Sequence, residues 1–147
     1  MAFEYHRILV AVDGSDASEL AFKKAVDIVL RNNAKMFLTH VIDTRTITTV
    51  APEVYDQSLA SRSENYANSL LNDYREKASK NGVEDIETHV EIGSPKIKIP
   101  KDLAKKFDAD LIICGATGMN AVERFLIGSV SESITRYAKC DVLVVRS

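Results

Sequence analysis

Cysteine is scarce in this chain, with only Cys114 and Cys140 among 147 residues. The two lack C-x-x-C spacing and lie within or beside expected strands. They therefore read as small buried thiols of a reducing compartment, without a metal or redox role. Histidine is also sparse. His6, His40 and His89 stand far apart and show no paired ligand spacing, which favours packing or surface roles over a metal site or a catalytic base. Only His40 falls near the strand ends where a ligand site is expected. No apolar run approaches the ~18 residues that a membrane span needs, and residues 1–7 are charged and lack the apolar stretch of a signal peptide. The expectation is a cytosolic protein with no membrane association. Neither sign of charge dominates: 19 Lys and Arg face 21 Asp and Glu, for a net charge of −2. The basic residues are scattered, so no nucleic-acid footprint is expected. Both the Walker A sequence and G-x-G-x-x-G are missing.

What the chain does have is 46% hydrophobic and 27% charged residues, enough for one compact domain over residues 1–147. Short apolar runs alternate with helical periodicity. An apolar run over 6–13 ends in Asp13-Gly14-Ser15-Asp16, where a turn and a helix start belong. Ala17, Leu20, Ala21, Ala25, Ile28 and Val29 then recur at spacings of three and four, marking a helix to about Asn33. A strand is expected over 35–42. Residues 43–56, rich in threonine and with Pro52, lose the pattern and read as a long loop. Tyr66, Leu70, Tyr74 and Ala78, with Ala67 and Leu71 alongside, make a helical stripe that stops at Asn81-Gly82, and a strand follows over 86–92. Pro100 sits about one turn inside the next helix, so that helix is expected to start late or kink. Strands over 110–114 and 141–146 flank a last helix whose apolar positions are Val130, Ile134, Tyr137 and Ala138. This alternation predicts an α/β fold: an open five-stranded parallel sheet with helices on both faces, Rossmann-like and adenine nucleotide alpha hydrolase-like.

Three of the six glycines fall in one stretch, Gly115-Ala-Thr-Gly118 and, after nine residues, Gly128-Ser129. Glycine lets backbone N–H groups approach an anion, and a helix N-terminus offers open donors and a favourable dipole. Ser129 and Glu132 match a capping box at the start of the last helix. On glycines alone, a phosphate cradle and a set of ordinary turns are equally good readings. Position tips the balance, because Asp13, Val41 and Gly115 all end strands at the same edge of the sheet, where open α/β folds bind ligands. Ser129 and Ser131 are read as both capping residues and phosphate contacts, and Arg124 carries little weight as a phosphate clamp.

Ile8-Leu-Val-Ala-Val-Asp-Gly-Ser15, His40-Val41 and the G-x2-G-x9-G-S pattern from Gly115 to Ser129 together resemble the universal stress protein family along the whole chain. The last pattern resembles its ATP-binding branch. The resemblance implies a homodimer and an ATP pocket at the strand ends. Ala11, Val12 and Asp13 would line the adenine and ribose region, and the Val41 backbone would read the adenine edge. Gly115, Gly118 and Met119 would follow the ribose and phosphate chain. Gly128, Ser129, Val130 and Ser131 would hold the β- and γ-phosphates. Asp13 would approach a divalent cation, Mg2+ or Mn2+. Ala116-Thr117 departs from the Ser-His or Ser-Arg often found there, and Pro100 interrupts a helix that usually runs unbroken, away from the expected pocket.

Three functions remain open at this point. The first is an ATP-binding stress-response regulator that engages an unknown protein partner. The second is a slow ATPase or phosphotransferase. The third is a dimeric interaction module without nucleotide. The terminal strand, with Val142 to Val145, is expected to pair across the dimer.

Overall fold

The computed structural model describes residues 4–44, 57–118 and 127–147, with only the backbone of 57–59. Five strands, β1 (Arg7–Ala11), β2 (Lys35–Asp43), β3 (Ile86–Gly93), β4 (Leu111–Gly115) and β5 (Asp141–Val145), form one sheet. Their order is β3-β2-β1-β4-β5, and every pairing is parallel. The helices between them are α1 (Asp16–Asn32), α2 (Gln57–Lys80), α3 (95–106) and α4 (Ser129–Tyr137). The order reverses between β1 and β4, so the chain runs outward in both directions from that pair and opens a crevice at their carboxyl ends.

Strand alternation assigns the two faces. Ile8, Val10, Met36, Leu38, Leu111 and Ile113 point to the side covered by α1 and α2, where Phe22 and Tyr74 meet with ring centroids 4.6 Å apart. Leu9, Phe37, Val41, Ile112 and Cys114 point to the other side, covered by α3 and α4 through Ile99, Leu103, Phe107 and Ile134. Phe37 stacks on Phe107 at 4.6 Å. Each fully buried Leu or Ile here contributes roughly 1.5–3 kcal/mol.

Local chemistry explains the helix ends. Ser15 caps α1, its hydroxyl accepting from Ser18 N at 3.2 Å, and Asn33 closes that helix in the left-handed region at φ 52°. Pro100 neither delays nor breaks α3. The helix starts with Pro95 at its first turn and absorbs Pro100 in a wider turn over Lys98–Leu103, where Ala104 N donates to Ile99 O five residues back. In α2 the buried face is Ala67, Leu71, Tyr74 and Ala78, whereas Tyr66 is 51% exposed. Tyr137 is likewise at the surface, with Lys101 Nζ 4.7 Å from its ring centre. No helix among the described residues is long and apolar enough to cross a membrane.

Candidate functional site

A cleft of about 1060 Å³ lies across the carboxyl ends of β1, β2 and β4. Ten of the expected site residues line it: Ala11, Val12, Asp13, Val41, Gly115, Gly118, Gly128, Ser129, Val130 and Ser131. Met119 and Arg124 lie outside the described residues, as does most of the 43–56 segment. The reading from sequence missed one wall, made by Arg62, Ser63 and Tyr66 of α2. Pro100, expected away from the pocket, is not in the lining, although Pro95 and Ile99 of the same helix are.

The floor begins with the β1 exit. Asp13 N donates to Ser18 Oγ at 3.0 Å, and Ser15 N donates to Asp13 Oδ1 at 2.9 Å. Asp13 is thus tied to the turn that starts α1, while the cap itself is Ser15. Gly14 sits at φ 85°, and a Cβ there would come within 2.9 Å of the Tyr66 hydroxyl; glycine alone suits both demands. On the other side, a Cβ on Gly118 would lie 3.3 Å from Asp13 Oδ2, so the two loops meet at this carboxylate.

Gly115 is glycine for a packing reason. A Cβ would fall 2.8 Å from the backbone carbon of Ala17 and 2.9 Å from Ser18 N, so β4 and the start of α1 touch without a side chain between them. Beyond it, Ala116 N donates to Val145 O at 2.7 Å, and Gly128 N donates to Ala116 O at 2.7 Å. That second bond draws the start of α4 onto the end of β4.

The capping box is not formed. Gly128 occupies the cap position of α4, Ser129 is the first helical residue, and no side chain caps the helix. Ser131, 3% exposed, lies with its hydroxyl 2.8 Å from Ala116 O and 3.0 Å from Gly128 O; with one proton, it donates to the nearer. The hydroxyl is therefore committed to the loop. What the helix offers the cleft is the N–H groups of Ser129, Val130 and Ser131, since the first intrahelical donor is Glu132 N, to Gly128 O.

The β2 edge offers a second set of donors and acceptors. β1 and β2 are in register only to Ala11 opposite Thr39, and the last bond between them runs from Val12 N to Thr39 O at 2.9 Å. Alternate residues of β2 face the same neighbour, so Val41 turns its N–H and C=O toward β1 after β1 has ended. His40 Nδ1 donates to Val12 O at 2.8 Å, and its ring meets Tyr66 edge-on with centroids 6.1 Å apart. Cys114, also in the lining, has its thiol pushed up to about 12, first by burial and then by the Asp13 carboxylate. It carries its proton at neutral pH and is no nucleophile.

An open peptide edge, an uncapped helix start and a carboxylate therefore face one cavity. The universal stress protein family profile matches residues 4–146. The chain belongs to the universal stress protein family. Relatives named for this family in Staphylococcus saprophyticus and Staphylococcus aureus strain USA300 are each 54% identical over 143 residues, 97% of this chain and 84% and 85% of theirs. Among solved structures, the universal stress protein UspA from Lactobacillus plantarum is 30% identical with a TM-score of 0.86, covering 99% of this chain and 100% of that one. Another universal stress protein, solved in complex with cAMP, is 26% identical with a TM-score of 0.71 and 98% coverage of both chains.

A nucleotide fits these universal stress protein residues on the geometry alone. Adenine needs a peptide edge with a free N–H and C=O, and phosphates need open backbone donors. Among the described residues no three His, Cys, Asp or Glu side chains gather to hold a metal. A divalent ion here would take Asp13 and complete its shell with phosphate oxygens and water, as Mg2+ commonly does.

Proposed function

We propose that this universal stress protein binds ATP with a divalent cation in the cleft and acts as a nucleotide-dependent stress-response regulator. The observation that carries the reading is the shared cavity of the Val41 edge and the uncapped start of α4. Adenine sits against Val41, the ribose over Ala11, Val12 and Asp13, and the phosphate chain passes Gly115 and Gly118 toward Gly128, Ser129, Val130 and Ser131. Asp13 holds the cation, Mg2+ or Mn2+. A relative solved with cAMP, itself an adenine nucleotide, supports the choice of base. The chain is one cytoplasmic domain that pairs as a homodimer through β5. Nucleotide state, rather than turnover, is the signal: ATP favours one arrangement of the cleft loops and dimer surface, and a protein partner reads that arrangement.

Calorimetric titration of nucleotide-stripped protein with Mg-ATP tests this, alongside Ser129→Pro. Proline is tolerated at the first helical position, and Gly128 at φ −68° and ψ 163° suits the residue before it. The substitution removes one N–H from the phosphate site while leaving the helix. Wild type should bind, and the variant should bind about 10- to 100-fold more weakly with little change in Tm. No binding by wild type, or equal binding by the variant, overturns the reading.

A further inference from the structure

The parallel ladder between β1 and β2 stops one bond earlier than the chain allows. Val12 N donates to Thr39 O, and in the evenly spaced parallel pattern the next bond would run from Val41 N to Val12 O. That bond is not made. Val12 O instead accepts from His40 Nδ1 at 2.8 Å. The imidazole of the residue before Val41 thus satisfies Val12 O from one side, and Val41 N–H makes no bond to it.

We propose that His40 is a positioning residue that holds the Val41 N–H open for the base, a role that rests on the adenine reading of the cleft. The pieces that fix the imidazole are all present. Tyr66 closes against it edge-on, and the backbone register of β1 and β2 brings Val12 O opposite. Either ring state with a proton on Nδ1 makes the bond, so the device needs no charge on His40. Without the imidazole, Val12 O is a free acceptor at the end of a parallel strand, and the cheapest way to satisfy it is to extend the ladder onto Val41. The base-reading edge then closes, and the purine loses the donor that distinguishes an adenine ring nitrogen from a protonated one in guanine.

His40→Asn and His40→Leu separate positioning from packing. The Asn amide nitrogen is as many bonds from the backbone as His Nδ1, so it can donate to Val12 O; Leu fills the space without a donor. Amide exchange is read by NMR on the nucleotide-free protein, and affinities for Mg-ATP and Mg-GTP are read by calorimetry. In wild type and His40→Asn the Val41 amide should exchange rapidly and ATP should be preferred to GTP. In His40→Leu the Val41 amide should be protected, ATP should bind about tenfold more weakly, and the ATP-to-GTP ratio should move toward one. Should the Leu variant fail to fold, His40→Met serves in its place. Unchanged Val41 exchange in the variant without a donor overturns the inference, whatever the nucleotide affinities. Absence of ATP binding by the wild type overturns the adenine reading instead, and the exchange comparison still decides whether His40 controls the edge.

Discussion

Ser131 Oγ donates to Ala116 O at 2.8 Å across fifteen residues of chain, and Gly128 N donates to the same carbonyl at 2.7 Å. The hydroxyl at the start of α4 is thus a structural tie, and the backbone N–H of the same residue is what faces the cleft. Ser131→Ala should cost about 1 kcal/mol, the worth of one neutral hydrogen bond, because Ala116 O keeps its second donor. Thermal unfolding should show a Tm lower by a few degrees. ATP affinity in the same variant should change less than about threefold. A large affinity loss with unchanged Tm would mean that the hydroxyl contacts phosphate.

The glycines of the G-x2-G-x9-G-S pattern answer to different neighbours, and their substitutions should separate accordingly. At Gly115 a methyl group meets the Ala17 backbone at 2.8 Å, which cannot move without displacing α1. Gly115→Ala should therefore cost about 1–3 kcal/mol and lower Tm by several degrees. At Gly118 the nearest atom is the end of the Asp13 side chain, at 3.3 Å, and Gly118→Ala should be milder in stability. Chemical denaturation of both variants checks the order; a costlier Gly118→Ala would contradict it.

Much of this was legible in the sequence, because alternating apolar runs and 3.6-residue periodicity report which backbone is buried. The five strands, their parallel sense and the strand-end cleft all follow from that alternation. Contacts between distant segments are not written in local periodicity. Ser129 with Glu132 satisfies the capping-box spacing, yet Gly128 takes the cap because its N–H is tied to Ala116 O. Tyr66 has helical spacing from Leu70 and Tyr74, but it lies where α2 passes the open end of the sheet and so lines the cleft. Pro100 signals a late start or a kink, whereas the helix begins at Pro95 and a five-residue hydrogen-bond turn absorbs the proline. The role of His40 depends on the register of β1 against β2, which no spacing within either strand reveals.

β5 is an edge strand, and the proposed dimer uses it. Val145 O faces β4, since it accepts from Ala116 N, so Val144 directs its backbone outward. Its side chain packs on the core between the sheet and helices α3 and α4, and a charge there would injure that core as well as any interface. Val144→Pro is cleaner, because it removes an outward N–H from an edge strand and keeps an apolar side chain. Sedimentation should shift toward monomer while circular dichroism stays native. An unchanged dimer would move the interface away from this edge.

The most direct measurement is a titration of 15N-labelled, nucleotide-stripped protein with Mg-ATP, followed through the amide signals of Val41, Ser129, Val130 and Ser131. The four lie at opposite ends of the proposed nucleotide, Val41 on β2 and the other three on α4, and the cleft is what they share. All four signals should move along one binding curve with a single Kd. Movement of signals elsewhere while these four stay fixed, or no movement at all, would contradict ATP binding in the cleft.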